Sequence, residues 1–155
     1  MEFQNTIAFG TMYAEGGQLS LTGNTWTKFP FEPTFTPQKN IVYPDGSSSF
    51  IVEVQQTGTY FVEFNFVAQD GDSKTYFLKP YVNSTPYYAQ GVGMEIKFFQ
   101  QPTTQKYEVS TCGLFNLTKG DKLEWYIYVG TPSATDFYIN TLRMNIINLQ
   151  QIGVH

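Results

Sequence analysis

The segment TGTYFVEFNFVAQ, residues 57–69, alternates at every second position. Tyr60, Val62, Phe64 and Phe66 fall on one face of an extended chain, and Phe61, Glu63, Asn65 and Val67 on the other. The first row predicts a strand packed on a core. The second is too aromatic for an ordinary solvated face, and it carries a carboxylate between a phenylalanine and an asparagine.

The same period recurs along the chain, and no window has the period of a helix. IAFGTMYAEGG reads as a first strand ending in a glycine turn, followed by QLSLTGN and TWTKFPFE. EPTFTPQ, with its two prolines, is too irregular for a central strand. SSSFIVEVQQTGTYFVEFNFVAQ reads as two long strands joined at Gln56-Thr57-Gly58, and DGDSK as a hairpin tip leading into TYFLKPYVNSTPYYA. GMEIKFFQ, KYEVSTCGLFNL, KLEWYIYVG and TDFYINTLRMNIINL complete the set, with TKGD and TPSA as turns. This makes eight to ten strands with no linker and no repeat, over a length suited to one domain, residues 1–155. The expected fold is all-β, a two-sheet jelly-roll sandwich of about ten antiparallel strands, because sheet edges must be closed or shielded.

Two stretches carry a family resemblance. Gly58-Thr59-Tyr60 followed by Val62 and Phe64 resembles the G-x-Y-x-F-x-F/Y strand signature of the complement-first-component globular head, with Val52 and Val62 standing where phenylalanines are usual and Phe35, Asn40 and Tyr43 similar to its upstream lead-in at a different spacing. Gly113 to Leu123, through the turn Thr118-Lys119-Gly120-Asp121, resembles that family's L-x-L-x-x-G-D-x-V strand-turn-strand. The order of elements over residues 7–149 is similar to the jelly roll shared by that family and tumour necrosis factor. The resemblance implies a homotrimer with a binding or structural role and no catalysis. Without a collagen stalk or a secretory signal, it points to the kind of trimer that caps or decorates a phage, virion or spore surface.

Composition narrows the partners. A net charge of −4 with nine scattered Lys and Arg excludes the basic patch that nucleic acid or an anionic membrane requires. No apolar run spans a bilayer, and MEFQNTIAFG lacks the basic and hydrophobic regions of a signal peptide. Synthesis in a cytoplasm is therefore expected, with a final location on a particle surface beside other particle proteins. With Cys112 the single cysteine, no intrachain disulfide is available, and a small buried hydrophobe is its expected role.

The second faces of the strands indicate self-association. In KLEWYIYVG, Leu123, Trp125, Ile127 and Val129 form the core row, leaving Glu124, Tyr126 and Tyr128 opposite. In the last strand Tyr138, Leu142, Met144 and Ile146 form one row, and Phe137, Ile139, Arg143 and Ile147 a second. Aromatic anchors with few charges are what a subunit interface uses. Phe61, Glu63, Glu124, Tyr126, Tyr128 and Arg143 are the interface candidates, with Glu63 or Glu124, in the same or a neighbouring subunit, expected to pair Arg143, the only arginine.

Catalytic groups are scarce. The single histidine, His155, is the last residue, which removes histidine-based triads and metal sites. Carboxylate pairs for glycoside hydrolysis, Glu53 with Glu63 or Glu108 with Glu124, survive only if their strands are adjacent. Asp70 and Asp72 could offer oxygens to calcium, but the EF-hand spacing is missing and Asp-Gly is a plain turn signal, so no cofactor is expected. For recognition of a glycan or a protein receptor, the alternative to a purely structural role, the candidates are Tyr76, Tyr81, Asn83, Tyr87 and Tyr88. Tyrosines beside amides give stacking area at low entropic cost.

Overall fold

The computed structural model describes residues 8–69, 74–87, 96–100, 106–130 and 135–149. Its strands, in chain order, are β1 (Phe9–Glu15), β2 (Gln18–Leu21), β3 (Thr27–Lys28), β4 (Thr34–Lys39), β5 (Ile41–Val42), β6 (Ile51–Val54) and β7 (Gly58–Gln69). They continue as β8 (Lys74–Val82), β9 (Thr85–Pro86), β10 (Ile96–Gln100), β11 (Tyr107–Leu117), β12 (Lys122–Val129) and β13 (Thr135–Asn148). The first sheet runs β11-β7-β13-β1-β4, with β2 extending β13. The second runs β10-β8-β12-β6-β5, with β3 on β12 and β9 on β8. Every pairing between described strands is antiparallel. The fold is thus the two-sheet jelly-roll sandwich that the period-2 pattern predicts.

Alternation decides what lies between the sheets. Tyr60, Val62, Phe64 and Phe66 of β7 are fully buried, and so are Leu123, Trp125, Ile127 and Val129 of β12. Phe64 of the first sheet stacks on Trp125 of the second, ring centroids 4.9 Å apart and planes 6° from parallel. Phe29, Phe50 and Phe66 tilt around Phe64 at 5.6, 5.8 and 5.9 Å. Such offset and tilted pairs add to the free energy of burial itself.

Two sequence expectations change and one, the non-central place of EPTFTPQ, holds. Residues 70–73 of DGDSK lie outside the described residues, but the strands on either side, β7 and β8, belong to different sheets and do not pair as a hairpin. A turn signal carries no information about which sheet the next strand joins. The proline-bearing segment forms β4, at the edge of the first sheet, where a residue without an N–H leaves no ladder bond broken inside the sheet. In β13 the two expected rows exchange: Ile139 is buried while Tyr138 is 40% exposed. The cause is a bulge between Ile139 and Thr141, which inserts Asn140 and reverses the facing of Tyr138 and Ile139.

The bulge is locked by the turn between β1 and β2. Gly16 donates its N–H to the carbonyl of Asn140 (3.1 Å), and Ile139 donates to the carbonyl of Gly17 (2.9 Å). A Cβ at Gly16 would stand 2.1 Å from the Ile139 oxygen, a backbone atom that cannot swing aside. Gly16→Ala is expected to lower unfolding free energy by about 1–3 kcal/mol, read as a fall in the urea midpoint with an unchanged slope.

Candidate functional site

Each sheet has an outward face, and the two differ in what covers them. On the second sheet the outward residues are Phe77, Lys79 and Tyr81 of β8 with Tyr128, Tyr126 and Glu124 opposite them on β12. Trp26, just before β3, lies across this face, 5.0 Å from the ring of Tyr128 and 6.5 Å from that of Tyr81. The Lys79 ammonium sits 4.2 Å from the Trp26 ring centroid, and Lys79 is only 7% exposed. Tyr81 and Tyr126 stack at 3.8 Å. Glu124, 4% exposed, accepts a hydrogen bond from the Ser49 hydroxyl at 3.1 Å. Asn24 fastens the overlying segment, donating its N–H to Val129 (3.0 Å) and accepting from the Tyr128 hydroxyl (3.2 Å). The chain has already covered this face with its own aromatic cluster.

The outward face of the first sheet has no such cover among the described residues. Its residues form rungs across the strands, set by the registers of β11, β7, β13 and β1. One rung is apolar: Leu114, Phe61, Ile147 and Phe9, with Leu114 43% and Ile147 40% exposed. A depression of about 300 Å³ lies over it, bounded by Phe9, Thr11, Phe61, Asn145 and Ile147. The next rung is a hydrogen-bonded chain. Thr11 donates to Asn145 Oδ1 (2.9 Å), and Asn145 Nδ2 donates to Glu63 Oε1 (3.0 Å). Cys112 stands beside Glu63 on this rung. The third rung holds Ser110, Asn65, Arg143 and Tyr13, and the fourth Glu108, Val67, Thr141 and Glu15. A second depression, of about 220 Å³, is bounded by Tyr13, Asn65, Glu108, Thr141 and Arg143.

This geometry divides the interface candidates. Phe61, Glu63 and Arg143 share the open face of the first sheet, whereas Glu124, Tyr126 and Tyr128 lie on the opposite side of the sandwich under Trp26 and Tyr81. Period 2 identifies a second face within a strand but does not say which sheet that face belongs to. Arg143 is bound within the chain to neither Glu63, whose Oε1 is taken by Asn145, nor Glu124, on the other sheet. Cys112 is exposed on the open face, not buried, because its strand places it in the outward row.

The binding candidates become parts of the scaffold. Tyr76 is fully buried in the core. Tyr81 is stacked under the aromatic cluster. Asn83, at φ 53°, clamps two turns together: its Nδ2 donates to Asp121 Oδ1 (2.9 Å) and its Oδ1 accepts from the Lys122 N–H (3.0 Å). Asp121 Oδ2 in turn accepts from the Thr118 N–H (2.8 Å), closing the predicted turn at Thr118–Asp121. Tyr87 stacks on Phe115 at 4.9 Å and accepts at its hydroxyl the Asn116 N–H (2.8 Å), capping part of the edge of β11. Tyr88, Asp70, Asp72 and His155 lie outside the described residues. Trp26, Lys79, Asn145 and Thr11 escaped sequence reasoning. A lone tryptophan in a turn-rich segment was the only signal for the cluster, and none marked the Thr11–Asn145–Glu63 chain, whose members are far apart in sequence.

The carboxylate pairs that could hydrolyse a glycoside are dissolved by topology. Glu53 is on the second sheet and Glu63 on the first, and Glu108 and Glu124 are divided the same way. Among the described residues no group of three or more acidic, histidine or cysteine side chains could hold a metal ion. No helix among them is long and apolar enough to cross a membrane.

No family model matches the chain, and no curated protein matches it. Solved structures do. The chain is similar to the Eiger tumour necrosis factor of S. frugiperda (12% identity, 92% of this chain and 93% of that one, TM-score 0.60). It is similar to the PRD1 vertex protein P5 (12% identity, 91% and 96%, TM-score 0.56). It is also similar to the globular domain of the zebrafish complement 1qA protein (14% identity, 90% and 94%, TM-score 0.51).

Two outcomes test these assignments. Asn83→Ala removes both arms of the clamp and is expected to cost about 1–3 kcal/mol of unfolding free energy, measured by denaturant titration. The Tyr126 hydroxyl is pushed from 10.0 up to about 12, first by burial and then by the charges of Glu124 and Tyr81. The folded state therefore holds this proton more tightly than the unfolded chain. Its stabilisation is complete below pH 10 and is lost as pH rises toward 12. Tyr126→Phe should flatten that decline in a pH series of urea midpoints, leaving the smaller contributions of Tyr43 and Tyr60, whose hydroxyls are raised by burial as well. In its architecture, the chain is a jelly roll of the kind shared by tumour necrosis factor and the complement-first-component globular heads.

Proposed function

We propose that the protein is a non-catalytic head that assembles as a homotrimer through the outward face of its first sheet and serves as a structural or binding module on a particle surface. The observation that carries this reading is the asymmetry of the two outer faces. The second sheet is covered by Trp26 and its stacked tyrosines. The first sheet presents Leu114 and Ile147, both more than a third exposed, beside Phe61 and Phe9 and a hydrogen-bonded polar rung with a single carboxylate, Glu63. An apolar centre bordered by polar groups with few charges is the composition of a subunit contact.

The fold supports the same reading, since structures similar to this one include a vertex protein alongside tumour necrosis factor and complement heads. The separation of the acidic pairs supports a role without catalysis. Recognition of a glycan through Tyr76, Tyr81, Asn83 and Tyr87 is not adopted, because those side chains are occupied in the core, the aromatic stack, the turn clamp and the edge cap.

Light scattering after size exclusion at micromolar concentration is expected to give three times the 17.7 kDa chain mass. A monomer that persists at these concentrations overturns the trimer. Phe61→Lys and Ile147→Asp should each yield folded monomer, since both positions lie on the open face. Lys28→Glu, on β3 of the second sheet, should leave the assembly intact. Mass spectrometry of particles purified from the source culture tests the location separately, and recovery of the chain only in the soluble fraction would count against it.

A further inference from the structure

We propose that Arg143 and Glu108 form an ion pair between neighbouring copies and that this pair sets how the copies are oriented in the assembly. The inference rests on the trimer reading given above and adds to it the contact that selects one docking geometry.

Arg143 lies on β13, the central strand of the open sheet, flanked on its rung by Asn65 and Tyr13, both neutral. It is exposed, and among the described residues it forms no hydrogen bond or ion pair. A guanidinium in the middle of an interface must find a carboxylate, because its desolvation is not repaid by apolar neighbours. Among the described side chains three carboxylates share this face: Glu63, Glu108 and Glu15. Glu63 lies beside the apolar rung, where its Oε1 accepts from Asn145 Nδ2 at 3.0 Å and only Oε2 remains for a further donor. Glu15 is at the end of β1, an inner strand of the sheet.

Glu108 differs in position. It is on β11, the edge strand at the opposite end of the sheet from β4, and it is exposed and unpaired among the described residues. A three-fold ring is heterologous: two different patches of each subunit meet, one from each copy. An edge strand can therefore be set against the centre of the neighbouring sheet, which brings an edge carboxylate to a central arginine. Glu108 and Arg143 border one shared depression of about 220 Å³ within a subunit without closing it as a pair. Each is left available to the other's counterpart on the next copy. The apolar rung would supply affinity, and the charge pair would reject orientations that bury Arg143 against apolar surface or another cation.

Charge reversal provides the test. Arg143→Glu and Glu108→Arg, both exposed positions expected to fold, should each raise the concentration at which the trimer dissociates by about tenfold or more. The double variant should restore it toward wild type. Near-ultraviolet circular dichroism checks that each single variant keeps its packed core, and the milder Arg143→Gln should weaken assembly in the same direction. Single variants as stable as the wild-type trimer, or a double variant no better than either single, would overturn the pair while leaving the trimer standing. A wild-type monomer at micromolar concentration would overturn both.

Discussion

The stacking of Phe64 on Trp125 is the contact on which the rest of the molecule depends. It joins inner strands of the two sheets, since β7 and β12 are each flanked by strands on both sides. Phe29, Phe50, Phe66 and Phe115 pack around it, so the spacing and mutual tilt of the sheets follow from the volume of these rings. With one cysteine and therefore no intrachain disulfide, aromatic packing is what holds the layers together. The Trp125 indole N–H is left without a hydrogen-bond partner among the described groups, a cost the ring's apolar contacts must offset.

From that centre the two outer faces diverge. Both sheets place aromatics and a few charges outward, yet only one turns them into an internal structure. The segment before β3 folds back over the second sheet, and Trp26 finds Lys79, Tyr81 and Tyr128 waiting on adjacent strands. Lys79 and Glu124 are thereby buried on what would otherwise be a solvated surface. The first sheet receives no equivalent strap among the described residues, and its polar groups satisfy one another along Thr11, Asn145 and Glu63 instead. That face has arranged its own hydrogen bonds and leaves Leu114 and Ile147 of its apolar rung exposed.

At one end of the sandwich, polar side chains that look available in sequence are committed to architecture. Gly120, at φ 94°, and Asn83, at φ 53°, allow two tight turns, and Asp121 and Asn83 tie those turns to each other. Tyr87 spends its hydroxyl on the backbone of an edge strand. The residue types best suited to recognising a ligand are also the ones best suited to ending strands, and composition cannot separate the two uses.

Alternation alone determined the strands, the core rows of β7 and β12, the turn at Thr118–Asp121 and the sandwich architecture, because a residue's facing in a strand is a local property with period 2. Local pattern also identified Phe61, Glu63 and Arg143 as members of an unusual second face. The tertiary structure alone decided that Glu124, Tyr126 and Tyr128 belong to a different face, that the bulge at Asn140 exchanges Tyr138 with Ile139, and that Glu53 and Glu63 never meet. Those outcomes depend on which sheet each strand joins and in what register. Pairing across tens of residues settles both, and that energy is written in no single segment of the chain.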